Sequence, residues 1–172
     1  MSETAHSPAA QSASSSSSEP QWRLRQARST DAAVVASAVR DLLLELGGTP
    51  SALSAMTDAA SALIDDATAG VVLLAETRAE MVGVLAVSWQ LAIHVPGRYA
   101  LIQDLWVHPD WRDRAVGSGL LARLFELAAD SGLQRVEVGL PRESFMRFAA
   151  TEAFYLRNGF QANGPRMRKA LA

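Results

Sequence analysis

Residues 101–121 read LIQDLWVHPDWRDRAVGSGLL, which is a hydrophobic run, a polar loop and the start of a second hydrophobic run. The first run is typical of a buried strand, and the spacing of Leu120, Leu121 and Leu124 predicts a helix. The loop between them contains Arg112 and Arg114. A helix start presents N–H groups without intrahelical partners and the positive end of the helix dipole, so such a loop suits an anion.

This loop matches neither of two familiar phosphate-binding patterns. It lacks the G-x-x-x-x-G-K-[ST] sequence of a P-loop, and it lacks the glycines and downstream acid of a dinucleotide fingerprint. A diphosphate would therefore need a different cradle here. The alternative is an ordinary strand-to-helix turn, in which Gly117 and Gly119 allow tight packing and the arginines are solvated.

The rest of the pattern predicts an alternation of strands and helices. In the first half we expect a strand at 22–28, a helix capped by 29–31 and closed by Gly47 and Gly48, and a helix from about Pro50. A hairpin of strands at 70–78 and 81–95 and a strand at 99–107 should follow. In the second half we expect a helix from about 120 to 132, a strand at 135–140, a helix at 144–158 and an irregular last strand or hairpin at 160–171. The central hairpin and the later alternation predict an α/β or α+β sandwich. Its sheet should be mixed, with helices on both faces.

Composition favours one globular domain. The chain has 172 residues, of which 49% are hydrophobic, and we expect a single domain over 21–172. Residues 1–20, MSETAHSPAAQSASSSSSEP, are rich in serine and poor in large apolar side chains, so they predict a disordered tail.

Charge and cysteine content exclude several functional classes. A net charge of −2 provides no general basic field, so neither nucleic acid nor a membrane surface is an expected partner. The absence of cysteine excludes a disulfide scaffold, a cysteine nucleophile and a thiolate metal site, and it favours a reducing compartment such as the cytosol. His94 and His108 have no partners at ligand spacing, so no metal is expected.

The opening stretch resembles the central motif of the GNAT acetyltransferase superfamily, [QR]-x-x-G-x-[GA] after a strand that ends in V-x-P. The motif falls on Arg112, Ala115 and Gly117. A second block, EAFYLRNGF at 152–160, resembles the later motif of the family, in which a tyrosine on a helix precedes Gly-Phe. The resemblance covers 22–171 and implies a GNAT-type, mostly antiparallel sheet with a splayed pair of strands.

The resemblance also implies a binding site for acetyl-coenzyme A. Its pantetheine arm would lie beside the central strand, with the thioester carbonyl near the N–H of Val107 and the diphosphate on the N–H groups around Val116 and Gly117, backed by two guanidinium groups. The cofactor-binding residues would be Leu105, Trp106, Val107, Arg112, Asp113, Arg114, Ala115, Val116, Gly117, Ser118 and Gly119.

Three residues are candidates for catalysis. An amine must lose a proton before it attacks, and Asp104 and Glu137 lie among apolar residues on the two strands that resemble the splayed pair. Either acid could instead face solvent or pair with an arginine. Tyr155 matches the family's donor of a proton to the departing thiolate; alternatively, it is a half-buried aromatic whose hydroxyl bonds to the backbone.

Three positions depart from the family pattern. Asp113 and Ala115 stand where glycine is usual, which adds a negative charge and a methyl group near the expected phosphate. Phe148 stands roughly where many members have an asparagine that contacts the pantetheine arm.

The resemblance implies an N-acetyltransferase that moves an acetyl group from acetyl-coenzyme A to a primary amine by direct attack through a tetrahedral intermediate. We expect a small-molecule acceptor. Two alternatives are acetylation of a protein N-terminus or lysine and, because of the three departures, a non-catalytic module that binds coenzyme A or a metabolite. Dimers are common in the family, so a homodimer is compatible with the resemblance. The sequence leaves the acceptor and the acyl chain length open.

Overall fold

The computed structural model describes residues 21–93, 97–164 and 169. In these residues the strands are β1 (Arg23–Gln26), β2 (Gly70–Glu76), β3 (Met81–Ala92), β4 (Gly97–Val107) and β5 (Val136–Val138). The helices are α1 (Ala32–Glu45), α2 (Leu53–Asp65), α3 (Val116–Asp130) and α4 (Phe148–Arg157). The expected serine-rich tail, His94 and the part of the expected last strand at 165–168 and 170–171 lie outside the described residues.

The strands form one sheet in the order β1-β2-β3-β4-β5. Every neighbouring pair is antiparallel except β4 and β5, which run parallel. This arrangement confirms the mixed, mostly antiparallel sheet. Pairing between β4 and β5 covers only Ala100–Ile102 and Val136–Val138, so residues 103–107 of β4 extend beyond it. The splayed pair of strands lies there.

Helices cover both faces of the sheet, as predicted. On one face Leu120, Leu121 and Leu124 of α3 pack with Leu73 and Leu85 in a fully buried cluster that also includes Tyr155 of α4. On the other face, α1 contributes Val35 and Ala38 and α2 contributes Ala60, Leu63 and Ile64; these side chains pack against Leu74, Val84 and Trp106.

A β-bulge interrupts β4 at Gln103. Asp104 pairs with Ala86 and Ile102 pairs with Val87, so Gln103 is one extra residue in β4. A bulge shifts the alternation of side chains along a strand. Asp104 therefore shares a face with Trp106, which packs on the α1 and α2 side.

Several element boundaries differ from the prediction. The helix expected from about Pro50 begins at Leu53, because the backbone at Ala52 is still extended, with ψ 136°. The helix expected from Ser144 begins at Phe148, after a residue with φ −102° and ψ 16°. β5 is shorter than expected, and no strand forms at 160–164. Gly47, with φ +72°, ends the first helix as predicted.

Candidate functional site

A cavity of about 630 Å³ lies where β4 leaves β5. Residues 102–107 of β4, the start of α3, residues of α4 and the C-terminal turn of α1 line it. The candidate residues that line it are Asp104, Leu105, Trp106, Val107, Arg112, Asp113, Ala115, Val116, Gly117, Ser118 and Tyr155. The structure places the other three candidates, Arg114, Gly119 and Glu137, outside the lining.

The backbone edge of β4 faces this gap. His108 donates its N–H to the carbonyl of Val82, and the antiparallel register continues through Trp106 opposite Val84. Because alternate residues of an antiparallel strand bond to the same neighbour, the N–H and C=O groups of Leu105 and Val107 point away from β3. They point to the side that β5 has left. The C=O of Val107 accepts a hydrogen bond from Nε of Arg112, and an extended ligand could pair with the N–H and C=O of Leu105 and with the N–H of Val107.

The N-terminus of α3 presents backbone N–H groups to the cavity. Gly119 donates its N–H to the carbonyl of Ala115, so the N–H groups of Val116, Gly117 and Ser118 precede the first helical hydrogen bond. No side chain caps this end of α3. The donors and the helix dipole fit an anionic diphosphate.

Gly117 keeps the start of α3 close to its neighbours. A Cβ at this position would lie 3.1 Å from the ring of Phe154 and 3.7 Å from Cγ2 of Val107. Gly117 therefore allows tight packing at the start of α3, which is the alternative role that the sequence left open for this glycine.

The turn before α3 has a backbone that favours glycine. Both Asp113 and Ala115 have φ +60°, in the left-handed region. These are the two positions at which the chain departs from the usual glycine. Sequence reasoning linked the departures only to phosphate approach, whereas the structure adds a conformational cost at each residue.

Arg112 is held by two protein groups at the edge of the cavity. Its Nε donates to the carbonyl of Val107 at 3.0 Å, and its Nη2 donates to both carboxylate oxygens of Glu45 at 2.7 Å. Arg112 therefore joins the loop to the end of β4 and to the end of α1. Sequence reasoning did not name Glu45, which is 67 residues away.

Arg114 and Gly119 have local roles outside the cavity. The guanidinium of Arg114 lies 5.3 Å from the ring centroid of Trp111. A Cβ at Gly119 would lie 2.5 Å from the ring of Trp22, whose Nε1 donates to the carbonyl of Arg114 at 3.3 Å. Gly119 thus allows the indole of Trp22 to pack on α3.

Asp104 is a half-buried carboxyl group at the cavity. Burial raises its pKa, because desolvation disfavours the charged form. The neighbouring Trp106 is 6% exposed, and its Nε1 has no hydrogen-bond partner among the described residues. Its ring meets His108 edge-on at 5.8 Å, while Nδ1 of His108 accepts from the N–H of Asp110.

Tyr155 is buried between two aromatic rings. Phe154 and Phe160 each lie 5.2 Å from its centroid in edge-to-face geometry. Burial, and after it the negative charge of Asp104, raise the pKa of Tyr155. The phenol therefore remains protonated through the physiological range, and it lies within the electrostatic influence of Asp104.

Glu137 lies beside a cation instead of in the cavity. It pairs with Leu101 in the β4–β5 ladder, and its Oε1 is 3.6 Å from Nη1 of Arg135. An arginine pair was the alternative considered for this acid. Of the two candidate bases, the structure brings only Asp104 to the cavity that Tyr155 lines.

Other residues of the lining had no signal in the sequence. Leu42 and Leu43 come from α1 and Leu46 follows its last residue, whereas Arg147 precedes α4 and Arg157 is its last residue. Each belongs to an amphipathic or solvent-exposed pattern that is common in helices without a ligand.

The described residues contain neither a metal-binding cluster nor a membrane-spanning helix. Across residues 21–93, 97–164 and 169, no cluster of three or more His, Cys, Asp or Glu side chains could hold a metal ion. In the same part of the chain, no helix is long and apolar enough to span a membrane.

Comparison with known proteins identifies a sequence relative and similar folds. A curated aminoalkylphosphonate N-acetyltransferase from Salmonella typhimurium is 32% identical over 98 residues, which cover 57% of this chain and 61% of the relative. The matched part therefore spans about three fifths of that relative's length.

Two solved structures share the fold at low sequence identity. A predicted acetyltransferase from Clostridium acetobutylicum, solved with acetyl-CoA, has a TM-score of 0.72 and 17% identity over 87% of this chain and 96% of its own. A ribosomal-protein-alanine N-acetyltransferase from Brucella melitensis biovar Abortus has a TM-score of 0.68 and 16% identity over 88% and 99%.

A family model described as the acetyltransferase (GNAT) domain matches residues 68–162, which is more than half of the chain. The match includes β2 to β5, α3 and α4, and hence most of the cavity. The chain therefore belongs to the GNAT acetyltransferase family, whose members are acyltransferases.

Proposed function

We propose that this protein transfers an acetyl group from acetyl-coenzyme A to the primary amine of a small molecule. One observation carries the proposal: the free backbone edge of β4, the open N-terminus of α3 and Tyr155 all border one cavity. The sequence relative from Salmonella, by its name, also acts on a small amine.

The backbone supplies the groups that bind the donor. The backbone of Leu105 would pair with an amide of the pantetheine arm, and the N–H groups of Val116, Gly117 and Ser118 would hold the diphosphate. When bound, acetyl-coenzyme A supplies the activated acyl group. The N–H of Val107 points to the same side and would stabilise negative charge on the acyl oxygen.

Asp104 would accept a proton from the incoming ammonium group. A carboxyl group whose pKa is raised by burial is a stronger base than an exposed one, so it is better matched to an amine of pKa about 10. The amine nitrogen would first form a bond to the acyl carbon, whose C=O bond pair moves to oxygen; return of that pair would then break the C–S bond, and sulfur would leave with the bonding electrons. The nitrogen loses two protons in all, one of which returns to sulfur while the other reaches water.

Tyr155 would stabilise the departing sulfur. Its raised pKa makes complete proton transfer to a thiolate of pKa about 8.5 unfavourable, but it keeps the phenol protonated. We therefore assign Tyr155 the donation of a hydrogen bond to sulfur as negative charge develops there.

The test combines calorimetry with a free-thiol assay. We expect acetyl-coenzyme A to bind the purified protein and thiol to appear when amines are added. Binding without thiol release across a broad panel of small amines, N-terminal peptides and lysine peptides would instead favour the non-catalytic module. Release with peptides alone would favour a protein acceptor, and a lack of binding would overturn the proposal.

A further inference from the structure

A second cavity, of about 280 Å³, lies between α1, α2 and the sheet. Val35 and Val39 of α1, Met56 and Leu63 of α2 and Val72 of β2 are among its lining residues. Apart from Gln103 and Asp104 at one end, every described residue of the lining is apolar.

Gln103 and Asp104 line both cavities, so the apolar pocket adjoins the proposed acyl-transfer cavity at Asp104. The β-bulge puts the Asp104 side chain on this face of the sheet, and the small Ala86 lies opposite on β3. The amide nitrogen of Gln103 donates to Oγ of Ser88 at 2.7 Å, which leaves its amide oxygen as an acceptor.

The carboxyl group at this junction has no cationic partner among the described residues. Within the described residues no ion pair forms on Asp104, and burial raises its pKa. An ionised carboxyl group is costly to bury unpaired, so a positively charged ligand would relieve that cost. The lining of the apolar pocket contains no arginine or lysine that could balance an anion such as a phosphonate.

We propose that the acceptor is a primary amine with an apolar side chain, which fills the apolar pocket while its amino group lies at Asp104, next to the acyl-transfer cavity. This inference rests on the proposed function and narrows its substrate class. It separates the chain from its Salmonella relative, whose name specifies an amine that also carries an anionic phosphonate.

A homologous series tests the size and polarity of the acceptor. Ethylamine, butylamine, hexylamine and phenethylamine are compared with 2-aminoethylphosphonate and ethanolamine, with acetyl-coenzyme A present. Each CH₂ buried in the pocket should raise kcat/KM by about fourfold until the pocket is full. The inference would be overturned if kcat/KM for 2-aminoethylphosphonate or ethanolamine equalled or exceeded that for the apolar amines.

A variant with a matched control locates the site. Ala59 lines the apolar pocket on the exposed side of α2, whereas the exposed Ala62 of the same helix does not line it. Ala59→Phe should weaken the calorimetric binding of hexylamine at least tenfold, while Ala62→Phe should leave it unchanged. Unaltered binding in Ala59→Phe would overturn the assignment of the pocket.

The outcomes separate this inference from the proposed function. Thiol release with polar or anionic amines but not with apolar ones overturns the acceptor class and leaves acetyl transfer intact. No thiol release from any amine overturns acetyl transfer, whatever the hexylamine titration gives.

Discussion

Ala115 has the left-handed backbone of the turn before α3 without being glycine. Its Cβ crowds the following carbonyl in this conformation, and its side chain lies in the lining where a phosphate is expected. The same methyl group therefore affects both stability and binding.

Ala115→Gly should raise the free energy of unfolding by about 0.5–1 kcal/mol, because relief of left-handed strain exceeds the extra entropy of glycine in the unfolded chain. It should also tighten the binding of acetyl-coenzyme A. Urea denaturation and calorimetry measure the two effects. The control is Ala122→Gly at an exposed position within α3, which should lower stability by about 1 kcal/mol. Equal losses in both variants would contradict the strain argument.

Asp104 should make the protein less stable as pH rises. Burial raises its folded pKa above the unfolded value of about 3.9, so the folded state holds this proton more tightly. Its stabilising effect is thus present below the unfolded pKa and is lost as pH rises through the folded pKa. Asp104→Asn should therefore have a higher Tm than the parent at pH 7, with a smaller difference at pH 3.5, and should lose most of its turnover. A variant that is less stable at pH 7 would argue that Asp104 has a stabilising partner.

Tyr155→Phe should lower kcat while the Kd for acetyl-coenzyme A changes little, because only the hydrogen bond to the leaving sulfur is lost. The ring packing between Phe154 and Phe160 is retained in this variant, so its Tm should remain close to that of the parent. Stopped-flow thiol detection and calorimetry give the two constants. A kcat equal to the parent's would remove Tyr155 from the reaction.

At the scale of elements, α1 and the loop before α3 are joined through Glu45 and Arg112. The carboxylate of Glu45 pairs with the guanidinium of Arg112, which the family resemblance assigns to binding of the diphosphate. This assignment predicts that donor binding and the attachment of α1 compete for the side chain of Arg112.

Glu45→Gln tests this competition. We expect a stability loss of about 0.2–1 kcal/mol, since the ion pair is partly exposed, and an affinity for acetyl-coenzyme A that rises about fivefold at most. Glu126→Gln, which breaks the exposed pair with Arg123 within α3, is the matched control and should leave affinity unchanged. An unaltered affinity in Glu45→Gln would mean that Arg112 has a structural role alone.

Elements were more predictable from the sequence than the contacts between them. The period-2 pattern around the central hairpin and the leucines of α3 are local signals, and both elements form as expected. The bulge at Gln103 has no glycine or proline to mark it, because it follows from the register of two strands. The Glu45–Arg112 contact depends on how α1 packs, and nothing near either residue encodes it.

At the scale of the whole molecule, the start of the chain's first strand is anchored to the third helix. Trp22 packs on Gly119, which lies 97 residues later in the sequence, and its indole N–H donates a hydrogen bond to the carbonyl of Arg114. The indole thus fixes the beginning of the sheet against the loop that borders the cavity.

Gly119→Ala should lower the free energy of unfolding by about 1–3 kcal/mol, because its new methyl group would overlap the indole of Trp22. Trp22→Leu removes the ring, so adding Gly119→Ala to that variant should cost much less than adding it to the parent. A double-mutant cycle in urea measures the coupling. Additive losses would show that the two residues do not share this contact.

The sequence predicted which residues border one cavity better than it predicted the contacts of their side chains. Two motifs led to the same cavity because both are local and close to the backbone that they shape. Glu137 illustrates the limit: its strand was predicted, but the position of Arg135 beside it is a property of side-chain packing.

The single extra residue in β4 divides the strand into two halves that are out of phase. Upstream of Gln103 the even-numbered residues Ala100 and Ile102 face the α3 side of the sheet, whereas downstream the even-numbered Trp106 faces the α1 and α2 side. A substitution in β4 changes one side chain of the site and leaves the direction of the others unaltered. Loss of the extra residue would instead turn the side chains of Asp104 and Trp106 together toward the helices on the opposite face of the sheet. The chemistry of the site therefore depends on one inserted residue in β4.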